Sequence, residues 1–137
     1  MLIPKRILSI PSNTLILGAY AESLSDNSGN PYKVKEIVIT QQGSYRVRYA
    51  LAADTAGSTA SARLYKNGAA LGGTYTNAAA SYIDLQEDVG EFKPGDLLQV
   101  YAWAPAGFKA KVRNLTLSGD LALRPLGITP GTINKDS

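Results

Sequence analysis

Glu87, Asp88 and Glu91 are the carboxylates of this chain whose closeness in sequence suggests acid–base chemistry. A general acid and base for glycoside hydrolysis must flank the scissile bond from opposite sides. Acids crowded between Glu87 and Lys93, with Gly90 among them and Pro94-Gly95 directly after, read instead as a solvated turn. Nucleophilic arrangements also lack a member, because the 137 residues include no histidine and no cysteine. Ser-His-Asp and Cys-His catalysis, thiolate metal sites and nearly all zinc sites are thereby removed. Lysine-, carboxylate- or tyrosine-based chemistry stays open to such a chain, but the expected class is not an enzyme. A disulfide framework is removed as well.

The polar run Asp26-Asn27-Ser28-Gly29-Asn30 has the oxygen-rich look of a cation loop. It lacks the bidentate glutamate that such a loop needs further on, so it reads as an ordinary polar turn. No metal and no cofactor is expected. Asn114-Leu115-Thr116 fits a glycosylation acceptor but sits inside an expected strand.

Two groups of side chains point to binding. Trp103 and Tyr101, with Phe108 nearby, could form an aromatic face. Trp103 alternates against Leu98, Val100 and Ala102, so it faces solvent, a glycan or a partner subunit. Aromatic residues are enriched at interface hot spots, which favours subunit contact over glycan. Arg46 and Arg48 share one strand face, and Lys109, Lys111 and Arg113 share another. Within one sheet they would make a basic band, either solvated or set against the acidic side of a second copy (Asp84, Glu87, Asp88, Glu91 and Asp96). A net charge of +3 and a pI of about 9.2 are mildly basic. The aromatic residues are not interleaved with the basic ones as a stacking platform, so no nucleic-acid partner is expected.

These residues need a scaffold, and the stretch from Gly43 to Gly68 supplies its centre. Tyr45, Val47, Tyr49 and Leu51 alternate with Arg46, Arg48 and Ala50, the period of a half-buried strand. Ala60, Ala62 and Leu64 alternate with Ser61, Arg63 and Tyr65. Asn67-Gly68 then predicts a type I′ hairpin, whose central residues both need positive φ. Around this hairpin, strands are expected over Val34 to Thr40 (Ile37 and Ile39 inward) and over Tyr82 to Gln86 (Ile83 and Leu85 inward). A further strand runs from Leu97 to Ala104. Gly72-Gly73 marks a bulge or bend. Pro94-Gly95 fits a type II turn. Phe108, Ala110 and Val112 form an inner set that changes phase after Asn114 to Leu115 and Leu117, the mark of a β-bulge. No amphipathic helix is expected.

Short strands about ten residues apart with turn signals between them predict an all-β, antiparallel β-sandwich or jelly roll. Residues 1–20 are expected as an N-terminal arm or edge strand, 21–120 as the sandwich, and 121–137 as an extended C-terminal tail. Lys5-Arg6 and the apolar residues after it loosely mimic a signal peptide, but Pro11-Ser12-Asn13-Thr14 splits the run. No segment approaches the roughly 18 apolar residues of a membrane helix, and no membrane partner is expected.

The order of motifs resembles the jelly rolls of the complement-globular-head and tumour-necrosis-factor-like family. Gly43-Ser44-Tyr45 is similar to its Gly-x-Tyr strand, and Ala62 to Gly68 to its strand closing on Lys-Asn-Gly. Phe92-Lys93-Pro94-Gly95-Asp96-Leu97-Leu98-Gln99-Val100 is similar to its Gly-Asp lead into a long inner strand, and Leu115 to Gly119 to its closing strand. The resemblance covers roughly residues 34–120 and implies two sheets of ten or so strands and, commonly, a homotrimer. Alanine-, glycine- and threonine-rich domains of this kind also resemble bacteriophage virion proteins. The expectation is therefore a head decoration protein, made in the host cytoplasm and binding major capsid or other virion structural proteins as a homotrimer. Its contacts would be Leu2, Ile3, Ile7, Leu8 and Ile10 in the arm, Leu121, Leu123, Leu126 and Ile128 in the tail, and Tyr101 and Trp103. The alternative is a tail-fibre or tail-tip module that binds a glycan or receptor.

Overall fold

The structure, a computed structural model, describes residues 15–119. The expected arm contacts Leu2, Ile3, Ile7, Leu8 and Ile10 and tail contacts Leu121, Leu123, Leu126 and Ile128 lie outside the described residues. Within them there is no helix. The strands are β1 (Leu15–Ala19), β2 (Ser23–Leu24), β3 (Tyr32–Val38), β4 (Gly43–Ala53), β5 (Ala60–Lys66), β6 (Ala69–Asn77), β7 (Ile83–Phe92), β8 (Leu97–Trp103) and β9 (Ala110–Ser118).

They form two antiparallel sheets packed as a jelly roll. One has the order β1-β9-β4-β7, with β2 also on β9; the other has the order β3-β8-β5-β6. Alternation builds the core between them. Tyr45, Val47, Tyr49 and Leu51 of β4 meet Ala60, Ala62 and Leu64 of β5, Leu98, Val100 and Ala102 of β8, and Leu115 and Leu117 of β9. Each large apolar side chain so buried contributes roughly 1.5–3 kcal/mol. Tyr45 and Phe92 meet edge to face with ring centroids 6.0 Å apart.

The local signals act as expected at three places. Asn67 (φ 52°) and Gly68 (φ 84°) make the two-residue turn between β5 and β6. The β5–β6 register steps from Arg63↔Thr74 to Leu64↔Leu71, so Gly72-Gly73 is the bulge. In β9 the left-handed Asn114 (φ 58°) absorbs the phase slip, and both Val112 and Leu115 are buried.

Three expectations change. The first strand of the second sheet is Tyr32–Val38, but Ile39 stays in the core because its N–H and C=O bond to Asp96 O and Gly95 N, both at 2.8 Å. Glu87 to Phe92 is no turn: it continues β7 along β4, with Glu87 opposite Val47 and Asp88 opposite Arg46. Ile83 is 38% exposed and Phe108 39% exposed. Ile83 lies on the edge strand of its sheet, and Phe108 closes the Pro105 turn through a 2.9 Å bond from its N–H to Pro105 O.

Register also settles which ends lie together. Leu15 stands opposite Ser118, so the chain enters and leaves the described domain at one end of the first sheet. The opposite end holds Ala53↔Ala110 and, in the second sheet, Ser61↔Trp103. The nine residues of β9 separate these ends, a span of roughly 25–30 Å at the usual rise of a strand.

Candidate binding face

The outer face of the β3-β8-β5-β6 sheet carries Trp103 and Tyr101, the two candidate contacts that the structure describes. Both are half-buried, because neighbouring strands flank β8 on each side. Cross-strand register arranges the face in rows. Lys33, Tyr101, Arg63 and Thr74 form one row, Glu36, Gln99, Tyr65 and Ala70 a second, and Trp103, Ser61 and Thr76 a third.

Tyr65 and Tyr101 stack with centroids 3.9 Å apart and planes 27° apart. Such a pair holds both rings in place before any ligand arrives. Gln99 is buried beneath them and makes two bonds, donating to Glu36 Oε2 at 2.8 Å and accepting from the Gly68 N–H at 2.8 Å. Lys33 Nζ lies 3.0 Å from the same Glu36 oxygen. The bond from Gln99, and then that from Lys33, holds the Glu36 carboxyl below the usual carboxylate range. Arg63 Nε donates to the Gly72 carbonyl at 2.9 Å, so the bulge on β6 orients the guanidinium. Among the described residues Arg63 has no carboxylate within ion-pair distance. The alternation of β5 marks Arg63 and Tyr65 as outward, but their meeting with Tyr101 depends on β5 lying beside β8, which no local pattern encodes.

The opposite sheet gathers the charges. The expected basic band exists as a layout, with Arg46 and Arg48 on β4 beside Lys111 and Arg113 on β9. Groups of the same chain meet it: a carboxylate at Arg46, an amide at Arg48 and a ring at Arg113. Arg46 grips Asp88 through Nε at 2.8 Å and Nη2 at 3.1 Å, and Arg48 Nε donates to Gln86 at 2.7 Å. The Arg113 guanidinium sits 3.8 Å from the centre of the Tyr82 ring, whose hydroxyl donates to Glu22. A shallow groove of about 440 Å³ runs past Arg48, Asp84, Gln86, Asn114 and Thr116.

Strand alternation also separates the suspected acids. Glu87 accepts from the Gly73 N–H at 3.1 Å, Asp88 faces Arg46, and Glu91 lies 3.4 Å from Ser44 Oγ. They form no acid–base pair. The Asp26 loop closes on itself, with Asp26 Oδ1 accepting from the Ser28 N–H at 3.2 Å and from its hydroxyl at 2.8 Å. Among the described residues no group of histidine, cysteine, aspartate or glutamate could hold a metal ion, and no helix is long and apolar enough to cross a membrane.

No family model matches the chain, and no curated protein matches it either. Among solved structures it is similar to the carbohydrate binding module CBM6cm-2 from Cellvibrio mixtus lichenase 5A, at 15% identity over 78% of this chain and 99% of that one, with a TM-score of 0.48. It is also similar to a family 35 carbohydrate binding module from Clostridium thermocellum, at 15% identity over 79% and 97% of the chains, with a TM-score of 0.44. For rabbit GITRL the figures are 17% identity, 75% and 98% coverage and a TM-score of 0.41. At these identities the likeness bears on the fold alone.

Proposed function

We propose that this chain is a non-enzymatic binding module that takes a glycan on the outer face of its four-stranded sheet. One observation carries this reading: the Tyr65–Tyr101 stack lies next to Trp103 on an outward sheet face, among polar groups on three neighbouring strands. A pyranose presents an apolar C–H face and a rim of hydroxyls. Fixed aromatic rings beside Ser61 and Thr76 offer a surface of matching chemistry. The placement of Trp103 supports the same reading, because the chain enters and leaves the described strands at Leu15 and Ser118 while Trp103 lies at the other end. A module held at Leu15 and Ser118 presents its aromatic face outward. A glycan array probed with the wild type should return binders, and Trp103→Ala should weaken them by about tenfold or more, or about 1.4 kcal/mol. An empty array, or undiminished binding by Trp103→Ala, would refute the reading.

A second reading is the head decoration protein, a homotrimer on a virion that binds major capsid or other virion structural proteins through its two extensions. The pairing of Leu15 with Ser118 favours it, since both extensions join the domain side by side. Two adjacent apolar segments raise each other's effective concentration at one attachment site. β1 begins at Leu15, so deleting residues 2–14 leaves every described strand intact. The truncated protein should stay folded and no longer co-sediment with particles; continued co-sedimentation would rule out the arm.

A further inference from the structure

Resting on the glycan reading, we infer that the saccharide is acidic, and that its carboxylate or sulfate is met by Arg63 beside Tyr101. The row Lys33–Tyr101–Arg63 places a cation on each strand flanking the aromatic residue, and Lys33 is already paired with Glu36 at 3.0 Å, which leaves Arg63 to meet an acidic ligand. Glu36 is the one acid in the three rows of this face, and bonds from Gln99 and Lys33 occupy its carboxylate. Arg63 differs from Arg46 of the other sheet. Arg46 is matched to Asp88, whereas Arg63 is held by a backbone carbonyl through Nε, with no carboxylate in ion-pair distance among the described residues. A guanidinium positioned by a neutral acceptor keeps its full charge for a ligand, and its planar fork suits a carboxylate or sulfate. A sugar ring seated on Tyr101 and Trp103 would bring an equatorial acidic substituent toward Arg63. The residues that bind the ring and those that select its charge are therefore different.

The test uses oligogalacturonate and the same oligosaccharide with its carboxyl groups reduced, with sialyllactose against lactose and a sulfated against an unsulfated galactan fragment as further pairs. The wild type should bind the acidic member of a pair at least about tenfold more tightly, with affinity falling as salt screens the charges. Arg63→Gln should lose that preference while retaining binding to the neutral member. Arg63→Lys should keep part of it, and Lys33→Met, which removes a cation already paired with Glu36, should reduce it less than Arg63→Gln does. Thermal melts of each variant check that the sheet is intact. Equal binding of acidic and neutral members, or an unchanged preference in folded Arg63→Gln, would overturn the inference and leave the glycan reading standing. Absence of binding to every saccharide would overturn the glycan reading itself.

Discussion

The side-chain amide of Asn67 donates to the Asp96 carboxylate across 3.1 Å, joining two turns far apart in sequence. Asn67 Oδ1 also accepts from the Leu97 N–H at 2.8 Å, and the Asn67 N–H donates to Leu97 O at 2.9 Å. Asp96 Oδ2 accepts from the Lys93 N–H at 2.9 Å within the Pro94-Gly95 turn. The Lys-Asn-Gly and Pro-Gly-Asp motifs are thus two halves of one lock at the end of the second sheet. Asn67→Ala should reduce stability in denaturant titration by clearly more than the roughly 0.5 kcal/mol of an ordinary surface change. Gly68→Ala has free space for its methyl group, so its cost is that of the left-handed backbone, about 1–2 kcal/mol. A silent Asn67→Ala would show that the lock adds nothing.

Acid should release that lock together with the Arg46–Asp88 pair. The Lys93 backbone bond, and then Asn67, holds the Asp96 carboxyl below its ordinary 3.8. The Arg46 side-chain bond does the same for Asp88. A carboxyl whose folded value lies below its unfolded one contributes stability that is complete above the unfolded value and is lost as pH falls through the folded one. Stability should therefore hold down to about pH 4 and decline below it, by this linkage. Asp96→Asn should be less stable than the wild type at pH 7 and lose less between pH 4 and 2. An acid limb identical to that of the wild type would remove Asp96 from the account.

The tyrosine stack should behave as one unit. Tyr65 and Tyr101 come from adjacent strands, and their rings lie 3.9 Å apart. A double-mutant cycle with Tyr65→Ala and Tyr101→Ala should give a coupling of about 0.5–1.5 kcal/mol in stability. If the glycan face is formed by the stack, Tyr65→Ala should also weaken saccharide binding, because Tyr101 loses the ring that orients it. Additive effects in the cycle would mean that the two rings act separately.

Alternation and turn chemistry made the inner sets of β4, β5 and β8 legible, as well as the Asn67-Gly68 hairpin and the slip at Asn114. These signals are local, within a few residues of what they specify. β7 was not legible past Gln86, because three acids and a glycine resemble a loop, and only β4 beside them supplies the partners that make a strand. The connection from Asn77 to Ser81 is ordered by one acceptor far along the chain and one within itself: Asn77 Nδ2 donates to Leu51 O at 2.8 Å and to Ser81 O at 2.9 Å. On the candidate face, the outward direction of Trp103 was readable from β8 alone. Its company was not, since the meeting of Tyr101 with Tyr65 and Arg63 follows from sheet order.

Lys35 shows the same limit and yields the last prediction. The β3–β8 register shifts between Lys33 and Lys35, and this irregularity turns Lys35 opposite the buried Val100. Lys35 is buried, and its ammonium donates to Ala21 O and, at 3.1 Å, to Ser23 Oγ, so it ties β3 to the start of β2 and the residues just before it. Burial lowers its pKa from 10.5. The folded state thus binds the Lys35 proton less firmly than the unfolded state does. Stability should rise as pH passes the folded value, with the gain complete above 10.5. Lys35→Met keeps the length of the side chain and removes both donors and the charge. Relief of the buried charge should offset much of the lost bonding, leaving the melting temperature nearly unchanged. Lys35→Met and the wild type should part in their dynamics and their alkaline behaviour. Amides of Ala21 to Ser25 should exchange faster in Lys35→Met, and the rise in stability toward pH 10.5 should be missing. Unchanged exchange at those amides would show that Lys35 does not secure the segment, and a retained alkaline rise would assign that rise to another group.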